Sequence, residues 1–321
     1  MGASRYFMNW LMISSQRMNG SRRDFLRCAS AGVGITLLDR HVLSADDLQN
    51  TIKEIRANLL EMVNEERAVE KVPPVAVDDL ATEVATKHAA DMAAGEYWSH
   101  WGRDGLKPYH RYAFAGGTHA TEENISAADN TWSMKVRDLK QDTAYLHVRL
   151  YQEKPPNDGH RRTILAPQHT HVGFGIAVQE LRLRLVELFV AKYVEVRPIA
   201  RQAKPGAQLP FSGKILRREY SLNHVEVFYE PTPAPPELSW LRQTRSYSLP
   251  KESRVLRPRL PPPYVYADGA AGMVDVGIDG SFHTSVRLYK QKLGIYTIVA
   301  WIRNNKTENV FAATEVCVEA V

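Results

Sequence analysis

The sequence predicts an α/β protein in two parts, a three-layer α/β/α sandwich followed by a smaller all-β sandwich. Three observations carry this expectation. Between residues 46 and 151, apolar residues recur at three- and four-residue steps, the spacing of one helical face. From Val172 to Val194 the period changes to two, as in paired strands. Beyond a stretch containing Pro198, Pro205, Gly206 and Pro210, short alternating runs separated by turn residues continue to Val318.

The first helix is expected from Asp46-Asp47, acids suited to the positive helix end, with Leu48, Ile52, Ile55, Leu59, Met62 and Val63 as its stripe and Pro73-Pro74 as its stop. A second starts at Asp78 or Asp79 as cap and buries Leu80, Val84, Ala85, His88, Ala89 and Met92, with Gly95 near its end. Residues 98–117 read as a loop with a turn of helix from Pro108 to Phe114, and helical character returns from Trp132 to Tyr151. Pro155-Pro156 ends that run, because neither imide nitrogen can donate. Asn157-Asp158-Gly159 is turn chemistry that presents His160 from a corner. Strands are expected at Val172–Val178 and Leu183–Val194, with a tight connection at Glu180-Leu181-Arg182. In the second part, strands are expected at Val225–Tyr229, Met273–Ile278, His283–Leu288, Ile295–Ile302 and Phe311–Val318, with exposed Pro-rich loops at 231–236 and 261–263. That pattern resembles a small Ig-like β-sandwich. It shows no catalytic constellation, so it reads as a binding or spacer module.

The formal charge of +5 invites a nucleic-acid partner, but its distribution points elsewhere. Residues 1–45 carry Arg5, Arg17, Arg22, Arg23, Arg27 and Arg40 against Asp24 and Asp39, so nearly all the excess lies there. Ser21-Arg22-Arg23-Asp24-Phe25-Leu26-Arg27 matches the twin-arginine export pattern, with an apolar run from Cys28 to Leu38 and small residues at Leu43-Ser44-Ala45. That run is shorter than the ~20 residues a bilayer span needs. The expected layout is an export signal over 1–45, the α/β/α domain over 46–197, a linker over 198–212 and the β-sandwich over 213–321. The protein is then periplasmic or extracellular, without a membrane span once the signal is removed. Cys28 and Cys317 are the only cysteines, so the exported part has no internal disulfide and depends on packing.

Three segments of the first part carry chemistry: Trp98-Ser99-His100-Trp101, Glu122-Glu123-Asn124-Ile125-Ser126 and Asp158-Gly159-His160-Arg161. Together with Leu60-x-x-Val63-Asn64-x-x-Arg67 and Ala85-x-x-His88-Ala89-x-Asp91-Met92, their order and spacing resemble the CAP superfamily (cysteine-rich secretory proteins, antigen 5 and pathogenesis-related 1 proteins) in its bacterial form, over about residues 55–195. The resemblance implies a cleft lined by two histidines and two acids, here His100, His160, Glu123 and, by position, Glu153. Many bacterial relatives carry serine near that last position. Asn124 joins the cleft set.

Two neutral imidazoles with a carboxylate suit a borderline divalent ion, Zn2+ first, on His100, His160 and Glu123. Without metal, the same groups form a proton-shuttling pair in which carboxylate orients histidine. The bland readings are loop packing for His100 and His160, a helix cap for Glu123, a core position for His88 and solvated loops for His169 and His171. Glu122 is a supporting partner or a solvated neighbour, and His110 and His119 have no partner signal. Trp98, Trp101, Tyr109, Tyr112 and Phe114 form either a cleft wall or plain core. No His-Glu-x-x-His, phosphate loop, nucleophile elbow or Cys-x-x-Cys is present, and Gly173-x-Gly175 lacks the third glycine of a dinucleotide site. The expected function is a cleft for a small apolar or cell-envelope ligand, with a divalent ion as an option and no nucleic-acid partner. The alternatives are a metal-dependent, peptidase-like hydrolase with Glu123 or Glu153 as base, and an adhesion or scaffold protein with a vestigial cleft.

Overall fold

The computed structural model describes residues 45–129 and 136–321. The export signal expected over residues 1–45 lies outside the described residues except for Ala45, as does the start of the helix expected from Trp132.

Helix α1 (Ala45–Val69) begins with Asp46 and Asp47 in its first turn. It ends before the prolines expected to stop it. Helix α2 (Asp79–Ala94) is capped by Asp78, whose carboxylate accepts the Ala81 N–H at 2.5 Å. Helix α3 (Pro108–Phe114) places proline at its first position, and α4 spans Val136–Tyr151. The turn expected at Asn157-Asp158-Gly159 leads into a short helix α5 (Gly159–Leu165) with His160 in its first turn.

The sheet of the first part has four strands: β1 (Ala76–Val77), β2 (Ala120–Asp129), β3 (His171–Gln179) and β4 (Arg182–Ala191), in the order β1-β3-β4-β2. β1 joins β3 in parallel, and the other pairs are antiparallel. The β3–β4 turn passes through Glu180 at φ 54°, as the Glu-Leu-Arg connection requires. Strand β2 went unread in the sequence, since a run of polar residues, Thr121-Glu122-Glu123-Asn124, carries no alternating apolar signal. It is the edge strand, which explains that composition.

One face of the sheet packs Leu185, Phe189, Val172 and Phe174 against α1 and α4; the other packs Val186, Leu188 and Val190 against α2. This is the three-layer arrangement. Gly173 and Gly175 permit the close approach of α2, because a Cβ at Gly175 would lie 2.1 Å from the Ala85 carbonyl carbon. Their purpose is contact with backbone. Buried Arg67 fixes the end of α5: its guanidinium donates to the carbonyls of Pro73, Ile164, Ala166 and His169.

The second part is two facing sheets with a common core. β5 (Val194–Val196), β7 (Gln208–Ile215), β11 (Ser281–Arg287) and β10 (Asp275–Val276) form one. The other holds β6 (Gln202–Ala203), β8 (Tyr220–Glu230), β9 (Ser253–Leu256), β12 (Gly294–Asn304), β13 (Val310–Ala312) and β14 (Val316–Ala320). Phe211, Phe282 and Val286 of the first meet Val225, Tyr296, Ile298 and Val316 of the second. The segment 198–212, expected as a linker, contains β6 and the start of β7, so it is part of the sheets. Pro198 and Pro205 fall outside the strands, and Pro210 sits opposite Ser285 beyond the stretch of β7 that β5 pairs.

The described residues form one compact unit. At the junction of the two parts, Ala120 N–H donates to Ala313 O and Glu315 N–H to Thr118 O, each at 3.2 Å. A Pro-rich segment between β8 and β9 carries the short helix α6 (Leu238–Leu241) and lies on the first part. Leu241 is buried there beside Tyr97 and Met92, and Trp240 meets Trp101 edge-on at 5.1 Å. Its Pro-rich stretch at 231–236 is the largely exposed loop expected there, and the aromatic and leucine anchors that follow hold the rest down.

Candidate functional site

Because β2 is an edge strand, its side chains alternate between the two faces of the sheet while its free edge points outward. A cavity of about 870 Å3 runs along that edge, and it is lined by His100, Glu123, Asn124, Glu153 and His160. Every sequence-selected site residue therefore borders the same space. They form two pairs that reach β2 from opposite faces.

In the first pair, His100 Nδ1 lies 2.9 Å from Glu123 Oε1, and the other Glu123 oxygen accepts from Arg111 at 2.6 Å. Arg111 also donates to His100 O at 2.8 Å, so one guanidinium from α3 fixes both residues. Burial would raise the Glu123 carboxyl, but the Arg111 charge, His88 and His100 hold it down at about 2. His88 is buried as expected, with Nε2 on Ser99 O at 2.8 Å, and burial together with the Arg111 charge lowers it to about 4. It stays neutral behind the carboxylate.

In the second pair, His160 Nδ1 lies 2.6 Å from Glu153 Oε1, while the His160 N–H donates to Glu153 Oε2 at 3.0 Å. Glu153 thus caps α5 and orients the ring at its start. Asn124 Nδ2 donates to His160 O at 3.1 Å and to Glu187 Oε2 at 3.2 Å. Behind it, His147 of α4 is clamped between Glu187 (2.6 Å) and Glu66 (3.0 Å). Burial opposes its protonation, yet the charge and hydrogen bonds of the two carboxylates hold it up at about 10, so it is an imidazolium at neutral pH.

In both pairs the carboxylate engages Nδ1, which leaves each Nε2 as the chemically available atom. Glu123, expected as a metal ligand, has both oxygens committed, one of them to a guanidinium. That removes it from the donor set. Among the described residues no group of three or more His, Cys, Asp and Glu is placed to hold an ion. An ion would thus rest on imidazole nitrogens alone.

Other expectations are corrected. His169 is buried and stacks on Phe189 at 5.2 Å, with Nδ1 at 2.9 Å from Thr163 O, so it is no solvated loop residue. His110 has a partner, with Nε2 at 3.1 Å from Glu230 of β8. Of the five aromatics around His100, Tyr109 lines the cavity, Tyr112 belongs to the core under α2, and Trp101 is covered by Trp240. Sequence reasoning missed Arg111, Glu66, His147 and Glu187, and it missed the contribution of the second part. Tyr247 packs on His100 with ring centroids 4.8 Å apart, and its hydroxyl accepts the Glu123 N–H at 2.7 Å. Glu315 Oε2 accepts the Thr121 N–H at 2.8 Å and the Thr121 hydroxyl at 3.1 Å. Two outward N–H groups of the β2 edge are thereby met by side chains from the second part. Both residues line the cavity.

The sequence model of the cysteine-rich secretory protein family, CAP, matches residues 60–193. Cilia- and flagella-associated protein 184 of Tetrahymena thermophila is 22% identical over 183 residues, which are 57% of this chain and 22% of that protein's length. Among solved structures, the chain is similar to an extracellular protein containing an SCP domain from Bacillus anthracis (22% identity, TM-score 0.36, 47% of this chain and 44% of that one). It is also similar to the CAP domain of enterococcal PrgA (17% identity, TM-score 0.33, 47% and 64%). The family match covers the strands and helices that carry both histidine–carboxylate pairs, and residues 60–193 form a CAP domain.

Proposed function

We propose that the chain is an exported CAP-domain protein whose cleft binds a small, hydrogen-bonding ligand of the cell envelope. The observation that carries this reading is the convergence of two oriented histidine–carboxylate pairs on one cavity of about 870 Å3, within the range of ordinary ligand sites. Export is inferred from the twin-arginine pattern at Ser21–Arg27. Among the described residues no helix is long and apolar enough to cross a membrane. The carboxylates and amide along β2 favour a polar ligand over an apolar one. A divalent ion, Zn2+ first, would be held by Nε2 of His100 and His160, where it would supply Lewis acidity. Glu123 and Glu153 would then fix the ring orientation from behind. The peptidase-like alternative draws on the same groups, and its catalytic residues would be Glu153 and the two histidines.

The test is a fragment library of neutral, anionic and cationic compounds read by saturation-transfer NMR on the full chain and on His100→Ala/His160→Ala. Fragments that bind wild type and lose their signal in the double variant are expected. A library with no histidine-dependent binder would overturn the reading.

A further inference from the structure

Among the described residues, Glu122 and Glu315 lie along the cleft without a lysine or arginine partner. Glu122, on the other face of β2 from Glu123, meets Thr163 Oγ1 at 3.2 Å and His169 Nε2 at 3.8 Å, and its side chain is about half exposed. Glu315, from the segment before β14, is only 6% exposed. One of its oxygens holds Thr121, and the other has no hydrogen-bond partner among the described residues. That oxygen is not enclosed by protein, and it opens onto the cavity that Glu315 lines.

A second observation, independent of the acids, points the same way. Asn124 is 1% exposed and lines the cavity, and while its Nδ2 is doubly engaged, its Oδ1 has no partner. Unmet acceptors thus recur along the edge of β2. The cavity lining includes four glutamates against a single arginine, Arg162, and that arginine pairs with Asp158 at 3.2 Å. Tyr247, Trp301 and Phe311 add aromatic surface to the same space. Unpaired acceptors, net negative charge and aromatic walls select an organic cation.

We propose that the cleft binds the ammonium group of an organic amine, with Glu315 as the carboxylate that pairs with it, Glu122 beside it and Asn124 Oδ1 as a further acceptor. This rests on the reading of the cleft as a ligand site and names the ligand's chemistry. It also gives the second part a direct role in binding.

Burial, reinforced by Glu122, raises the Glu315 carboxyl to about 8 despite its bonds to Thr121, so the empty cleft holds it as a neutral acid at pH 7. The titratable groups facing it are Glu122 of β2, Tyr109 of α3, Tyr247 and Cys317 of β14. The two hydroxyls are raised above their ordinary range and the thiol to about 12, each by burial first, so they stay neutral. An arriving ammonium therefore forms its ion pair by displacing the Glu315 proton to solvent, one proton per amine bound.

The experiment is calorimetry of the full chain with cadaverine at pH 7, in two buffers of different ionisation enthalpy, against 1,5-pentanediol as the neutral isostere. Cadaverine is expected to bind with close to one proton released, and the diol not to bind. In Glu315→Gln, which keeps an acceptor for Thr121, affinity should fall about tenfold or more and proton release should vanish. Gly-Lys-Gly and glucosamine then distinguish a peptidic from an amino-sugar source by which binds more tightly. Equal binding of amine and diol, or unchanged affinity and proton release in Glu315→Gln, would overturn the proposal. Failure of cadaverine while neutral fragments still bind in a histidine-dependent way rejects the amine alone. Failure of the whole fragment library rejects the ligand-site reading beneath it.

Discussion

The Tyr247 hydroxyl accepts the backbone N–H of Glu123 across 124 residues of sequence, at 2.7 Å. An edge strand of the CAP sheet is thereby closed by a side chain from the β part, at the carboxylate that orients His100. Tyr247→Phe keeps the ring against His100 and removes only the acceptor. Leaving that N–H unsatisfied should cost about 1–3 kcal/mol, read as a lower urea midpoint with an unchanged m-value.

Glu123 tests the first pair. Its carboxyl sits at about 2 against an ordinary 4.5. A depressed carboxyl contributes stability above its unfolded value, and that stability is lost as pH falls from about 4.5 toward 2. Glu123→Gln strands the Arg111 guanidinium and should cost roughly 3–5 kcal/mol near pH 7, with the difference from wild type shrinking below pH 4. Chemical denaturation at pH 7, 4 and 3 reads this.

His147 should behave in the opposite sense. Its imidazole is held at about 10 against an ordinary 6.5, so its contribution is fully present below 6.5 and fades as pH rises toward 10. His147→Gln should destabilise by roughly 3–5 kcal/mol at pH 6 by leaving Glu66 and Glu187 unpaired. The deficit should narrow at pH 10. Through Asn124, the same variant should shift the backbone signals of His160, a change visible by heteronuclear NMR.

Gly175 tests the packing of α2 on the sheet. With a new Cβ 2.1 Å from the Ala85 backbone, Gly175→Ala must push the helix away. A cost of about 1–3 kcal/mol is expected, read as a lower thermal midpoint.

Much of this was legible in the sequence because the signals were local. Apolar periodicity marked α1, α2, β3 and β4, and turn residues marked Glu180 and the Pro155-Pro156 break. The histidine segments and the Glu-Asn step marked His100, Glu123, Asn124 and His160, which all line the cavity. Strand β2 was illegible because its edge position suits polar residues, and α5 because a seven-residue helix led by glycine carries little periodicity. The linker expectation failed for a different reason. Proline marks a break in hydrogen bonding without stating whether the chain there leaves the sheets, and β6 and β7 form on either side of Pro205. Glu315 was illegible in principle, since its partner Thr121 lies 194 residues away.

The central claim is that one cleft is walled by both parts of the chain. Its most direct measurement is the titration of a histidine-dependent fragment into wild type and into Tyr247→Ala, with folding of the variant checked by circular dichroism. The account predicts an affinity loss of about tenfold or more in the folded variant. Unchanged affinity in Tyr247→Ala would contradict it.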